Sequence, residues 1–217
     1  LGQHFMHLLL LSGGAHPYSE TTPIMAGFLA SAGHTVDVSD FAFELNVPST
    51  DGYDAIVLNT RRTSSSNNDF SEVQRENLAK FVSSGGPLVS IHISPDSCPD
   101  WPEMKKITGG GWVSGTSNHP PFGRFTVNIK DPDHPCAAGL NDFEIDDESY
   151  CDLDIQPGID VFMTAMVEGV ERPMAWTHEY GKGRVFNTSL GHAGVSMRNA
   201  SFQKHVLNGV DWVTSGS

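Results

Sequence analysis

Three apolar runs decide what this chain can fold into: "MHLLLLS" (6–12), "YDAIVLNT" (53–60) and "PLVSIHI" (87–93). A strand with one face in water alternates apolar and polar residues. A run that is apolar at consecutive positions needs both faces covered, which is the pattern of a parallel sheet held between helices. Helical periodicity fills the gaps. Residues 19–33 place Ile24, Met25, Phe28 and Leu29 on one face, with Ser19 as the expected N-cap and Gly33 as the stop. Residues 71–86 turn Val73, Leu78, Phe81 and Val82 inward and end at paired glycines, and "TVDVS" (35–39) adds a further strand. Repeated strand–helix–strand units give an α/β fold, a three-layer sandwich with a mostly parallel central sheet. In such sheets ligands bind outside the carboxyl ends of the strands, so the strand-end residues His16, Asn59 and His92 are informative.

Beyond residue 108 the pattern changes. Residues 123–129, 143–150, 160–167 and 172–180 read as short alternating strands separated by "DPDHP" and "QPG" turns. Residues 181–192 form a last buried strand, and 199–213 a closing helix capped by Asn199. No repeat or linker divides the chain, so residues 1–217 are expected to form one domain. Residues 1–5 read as an extension ahead of a natural start at Met6.

The composition removes several classes of function. With a net charge of −13 and scattered Lys and Arg, the chain has no electrostatic reason to bind nucleic acid or an anionic membrane. No apolar run approaches the roughly 20 residues of a membrane span, and residues 5–15 lack the basic start of a secretion signal. Cys98, Cys136 and Cys151 show no CxxC spacing; they read as free thiols in a reducing compartment, hence a cytoplasmic protein. "TGGGWVSG" (108–115) lacks the registers that cradle phosphates, so no nucleotide cofactor is expected and the stretch reads as a flexible loop near the site. No G-x-S-x-G elbow occurs, and the glycosylation patterns at Asn187 and Asn199 read as chance.

The chemistry-bearing residues are imidazoles and carboxylates. His16, His92, His119 and His192 lie beside Gly, Pro or Ser, as do Asp96 and Glu148. That set can ligate a divalent ion or move protons. The ligands are dispersed along the chain, without HExxH spacing, so either role requires the fold to bring the strand ends together. His4, His7, His34, His134, His178 and His205 are assigned to structure or surface, Asp146 and Asp147 to a solvated run, and Trp101, Trp112 and Trp176 to core or pocket wall.

"YDAIVLN", "QRENLAKFVSSGGPLVSIH", "DWPE", "HPPFGRFTVNIKDPDHP", "FEIDDESY", "PMAWTHEYGKGRVFNTSLGH" and "RNASFQKHVLNGVDW" follow one another over about residues 53–213. In this order they resemble the trehalose-utilisation (ThuA-like) family, a branch of the class I glutamine-amidotransferase superfamily. The resemblance implies a flavodoxin-like fold. In amidotransferases of this fold, the strand after the "GG" turn ends at a nucleophilic cysteine, and the last long strand ends at its partner histidine, with a glutamate following. Here His92 stands at the first place with no cysteine, and His192 is retained without the glutamate. Glutaminase chemistry, which needs a thiol and its base in contact, is therefore not expected.

The resemblance then implies a carbohydrate or keto-carbohydrate substrate. The expected catalytic set is His92, His192, Glu148 and Asp96. The expected substrate contacts are His16, Tyr18, Asn59 and Tyr150. A divalent metal, zinc or manganese, would be held by His92, His119, Glu148 and His192. Two alternatives stay open: a non-catalytic carbohydrate-binding or regulatory module, and a metal-independent acid–base enzyme using His92 and His192. The partner expected is a small carbohydrate, with neither nucleic acid nor membrane, and a homo-oligomer is left open.

Overall fold

The computed structural model describes residues 5–48, 50 and 52–215; His4 and the rest of residues 1–4 lie outside that range. In chain order the elements are β1 (His7–Gly14), α1 (Tyr18–Ser31), β2 (Thr35–Ser39), β3 (Ala55–Arg61), α2 (Glu72–Ser83), β4 (Leu88–Ile91), α3 (Glu103–Thr108), β5 (Gly110–Gly111), β6 (Gly123–Ile129), β7 (Phe143–Asp147), β8 (Asp154–Ile155), β9 (Asp160–Val167), β10 (Val170–Tyr180), β11 (Gly183–Thr188), α4 (Gly194–Met197) and α5 (Ala200–Thr214). Nine strands form one sheet in the order β2-β1-β3-β4-β11-β10-β9-β6-β7. The first five of these run parallel, and the rest continue the sheet antiparallel.

The apolar run of β1 shows how the layers arise. Leu8, Leu9, Leu10 and Leu11 are all fully buried. Side chains alternate across a strand, so Leu8 and Leu10 pack with Met25 and Leu29 of α1 and Phe202 and Val206 of α5. Leu9 and Leu11 pack on the opposite face with Leu78 and Val82 of α2 and Met104 and Ile107 of α3. Each such leucine contributes about 1.5–3 kcal/mol by leaving water. The flavodoxin-like three-layer arrangement is therefore present.

Several local expectations are corrected. The first helix begins at Tyr18, and Ser19 lies inside its first turn. The Pro17 carbonyl accepts the N–H groups of both Glu20 and Thr21, and that starts the ladder two residues earlier. Val73 is 51 % exposed, because it sits in the first turn of α2 on the solvent side. The start of α2 itself is set by a capping box: the Ser71 hydroxyl accepts the Gln74 N–H, and the Gln74 side-chain oxygen accepts that of Ser71. The alternating strands of the second half do not stand apart. β9 and β10, of 8 and 11 residues, extend the main sheet beyond β11.

The glycine-rich stretch is not a free loop. Gly110 and Gly111 pair with β8 and are buried. A Cβ on Gly110 would fall 2.6 Å from the Asp154 carbonyl oxygen, and one on Gly111 2.5 Å from Cβ of Pro95. The glycines are needed there for close approach. The run Asp146–Asp147 is not solvated as a unit either: Asp146 pairs with Arg124 at 2.8 Å, whereas Asp147 is buried.

Candidate active site

β4 ends at Ile91, and the next residue, His92, has a left-handed backbone with φ 55°. Non-glycine residues adopt this region infrequently, and such strain concentrates at functional positions. The conformation is held by partners on both sides. The His92 backbone N–H bonds the Thr188 carbonyl at 2.7 Å, and its Nδ1 lies 2.8 Å from the Ser189 carbonyl oxygen. A carbonyl only accepts, so Nδ1 carries the proton and Nε2 presents a lone pair. Burial lowers the His92 pKa to about 3, with the neighbouring His16 adding to the effect, so the ring is neutral. Nε2 accepts the Tyr150 hydroxyl at 2.7 Å and lies 3.2 Å from His192 Nδ1.

Glu148 and His192 arrive from two other chain segments. They are tied together by Asp147, which is 1 % exposed. Its carboxylate accepts three backbone N–H groups: Gly191 at 2.7 Å, Glu148 at 2.9 Å and His192 at 3.1 Å. Burial raises the Asp147 carboxyl to about 6 in spite of those bonds. The Glu148 carboxylate then meets His192 Nδ1 at 3.1 Å, His92 Nε2 at 3.6 Å and His119 Nε2 at 3.6 Å. Burial pushes the Glu148 carboxyl up, but the His192 hydrogen bond and the surrounding imidazoles outweigh it, and the net shift is downward. The same hydrogen bond raises His192. His16 is lowered by burial, and its Nδ1 bonds the Ala15 carbonyl.

One ligand atom from each of His16, His92, Glu148 and His192 can be chosen so that all four lie within 4.8 Å of one another. Three imidazoles and a carboxylate suit zinc or manganese. The His92 Nδ1–H anchored on a carbonyl is the usual support behind a ligating imidazole.

The sequence-derived residues thus fall into three groups. His92, Glu148 and His192 converge, joined by His16, which was expected only to contact substrate. Tyr150 bonds His92 directly, and Tyr18 is buried beside His16 with its hydroxyl unpartnered among the described residues. His119 sits at the margin, 5.7 Å from the Tyr150 ring and 5.9 Å from that of Trp112, with Nδ1 on the Pro120 carbonyl. Asp96 and Asn59 are engaged elsewhere. Asp96 takes both Nε and Nη2 of Arg61, at 3.0 and 2.8 Å. Asn59 donates to the hydroxyls of Thr21 and Thr22 in α1.

The residue that the sequence reading missed is Asp147. A signal was present: alternation along 143–147 puts Asp147 on the same face as buried Ile145. A carboxylate on a core-facing strand position needs partners.

The histidines set aside do serve structure. His134 stacks on Phe162 at 4.4 Å, His205 is fully buried between Ser201 and Thr188, and His178 bonds the Ile107 carbonyl. Trp176 is core, and its Nε1–H bonds the Thr108 carbonyl at 2.9 Å. No helix among the described residues is long and apolar enough to cross a membrane.

The family model for ThuA, trehalose utilisation, matches residues 8–213. Among solved structures, a protein described as ThuA-like from Parabacteroides merdae superposes with a TM-score of 0.85 at 23% identity, covering 99% of this chain and 91% of its own. Another described as ThuA-like, from Bacteroides uniformis, gives 0.73 at 16% identity, covering 96% and 91%. A protein from Salmonella typhimurium, described as cytoplasmic, gives 0.71 at 14% identity, covering 95% and 98%. At these identities the likeness is one of fold. The curated proteins contain no match.

Proposed function

This chain belongs to the ThuA trehalose-utilisation family, and from that premise we propose that it is a metal-assisted enzyme acting on a sugar or keto-sugar, without glutaminase activity. The reaction class is isomerisation, elimination or hydrolysis of the kind disaccharide utilisation requires. The observation that carries the proposal is the convergence of His16, His92, Glu148 and His192 within 4.8 Å. Sugar recognition alone leans on aromatic, Asn, Asp and Arg side chains rather than on three imidazoles around one carboxylate.

A divalent ion held by these residues would polarise a carbonyl or a pair of vicinal hydroxyl oxygens. The protein's own groups supply the rest. Tyr150 donates to His92 Nε2, and once that lone pair is given to the ion its hydroxyl would be free to donate to a substrate oxygen. Glu148, fixed by the Asp147 clamp, is placed to take a proton from a carbon or hydroxyl beside a keto group and return it. Burial of Cys98, Cys136 and Cys151 argues against thiol attack, since burial raises all three thiols.

A second reading has its own support. His92 is driven toward the neutral form and His192 toward the charged form. Two imidazoles pushed apart in this way can serve as base and acid without a metal.

The deciding experiment is metal content of protein purified without an affinity tag, together with turnover of 3-keto-disaccharides. Stoichiometric zinc or manganese, lost in His92→Ala and Glu148→Ala along with activity, is expected. Metal-free protein with full, chelator-insensitive turnover would replace the metal reading by the acid–base one.

A further inference from the structure

Beyond Trp112 lies a cavity of about 460 Å³, within the range of ligand pockets. Trp112 separates it from Tyr150, the residue that bonds His92. Its ring stands edge-on to Tyr150 at 4.9 Å and 5.9 Å from His119, and it also lines the cavity. Asp96 lines the cavity too, and its carboxylate holds Arg61 at the end of β3. Arg61 is paired in register with Gly14, at the start of the loop that carries His16. The cavity therefore neighbours the cluster through Trp112 and Tyr150, the second of which bonds His92.

We propose that this cavity is the subsite for the second sugar ring of a disaccharide whose first ring occupies the histidine cluster; the inference rests on the sugar-directed reading of that cluster. The lining has the chemistry of a pyranose site. Trp101 and Trp112, both half-buried, line the cavity, and indole rings are suited to packing on the C–H side of a sugar ring. Lys105, Asp154 and Gln156 present donors and acceptors for hydroxyls. Lys105 and Lys106 stand against Asp96 and Asp154 on the wall, so both signs are present and the site suits a neutral polyol.

The site is preformed. Pairing of β5 with β8 fixes the segment that leads into Trp112 on one side and Asp154 on the other. The close seat of Gly111 against Pro95 joins that wall to the turn that carries Asp96. Preorganisation of this kind spares the ordering cost of binding.

The test is calorimetric titration of the metal-loaded protein with two pairs of probes: glucose against trehalose, and 3-keto-glucose against 3-keto-trehalose. Each disaccharide is expected to bind about tenfold more tightly than its monosaccharide. Trp101→Ala and Asp154→Ala should remove that advantage and leave monosaccharide affinity unchanged. Gln156→Ala provides a variant safe for folding, because the strap it belongs to is held by the Gln156 backbone N–H on the Gly109 carbonyl and not by the side chain. Equal affinities within both pairs, unaffected by the three variants but abolished in His92→Ala, would overturn the subsite and leave the cluster's sugar reading standing. Absence of binding by all four probes would overturn both.

Discussion

Asp147 Oδ1 accepts the backbone N–H of His192 at 3.1 Å, a bond between residues 45 apart in the chain. Through it one buried carboxylate fixes two members of the site, since Glu148 is its chain neighbour and bonds the same oxygen. Asp147→Ala strands three backbone N–H groups, two of them buried. A loss of about 2–4 kcal/mol in stability is expected, together with loss of metal affinity. Asp147→Asn keeps one acceptor oxygen and should fall between the two in both respects. Chemical denaturation and metal titration of the pair check this; a stable Asp147→Ala protein with unaltered affinity would show the clamp to be dispensable.

Tyr150 donates to the one free nitrogen of His92. Tyr150→Phe removes that donor and no volume from the packed ring. Stability should change by only about 1 kcal/mol, while kcat on a keto-disaccharide drops roughly 10- to 100-fold. Steady-state kinetics separates this from a binding defect, which would move KM alone.

His16 and His119 make a sharp contrast. His16 belongs to the four-residue cluster, whereas His119 meets Glu148 from outside it, at 3.6 Å. Zinc affinity measured by competition with a chelator should weaken about tenfold or more in His16→Ala. It should change little in His119→Ala. The reverse order would restore His119 to the ligand set that the sequence alone suggested.

Stability should fall with acid. Burial lowers His205 to about 4, from an ordinary value of 6.5, against the opposing pull of its backbone bonds. The folded state therefore keeps the ring neutral while the unfolded chain takes up a proton. The sign follows from linkage: stability is full above about pH 6.5, declines as pH drops toward 4, and levels below that. Urea denaturation at pH 7 and pH 5, with chelator present, should show the loss. His205→Gln, less stable at pH 7, should show a shallower pH slope.

Cys98, Cys136 and Cys151 are buried, and burial, with the adjacent Asp69 carboxylate, pushes the Cys98 thiol up to about 12. A thiol reagent should label none of the three in the folded protein and all of them after denaturation. Ammonia release from glutamine should be undetectable, and Cys98→Ser should keep its activity on sugars.

Much of the site was legible in the sequence because β4 and β11 are buried parallel strands. Apolar runs announce such strands, and the family resemblance placed the ends of these two side by side, so His92 and His192 could be paired before their distance was known. Glu148 was found through the motif that carries it. Asp147 escaped because "DDESY" reads as a charge run until the strand's alternation is applied. His16 and His119 look alike in the sequence, each next to a proline. Only the path of their loops separates the one in the cluster from the one beside it.

The sequence by itself determined the layers, since consecutive apolar residues admit few arrangements other than a sheet covered on both faces. It also determined that no cysteine stands where the amidotransferase nucleophile would. The tertiary structure alone decided what took its place: His92 in a left-handed turn, its Nδ1 tied to Ser189 and its Nε2 facing Tyr150, Glu148 and His192. Those partners come from segments 56 to 100 residues away. Contacts of that range depend on how strands order themselves in the sheet, and local periodicity carries no record of that order.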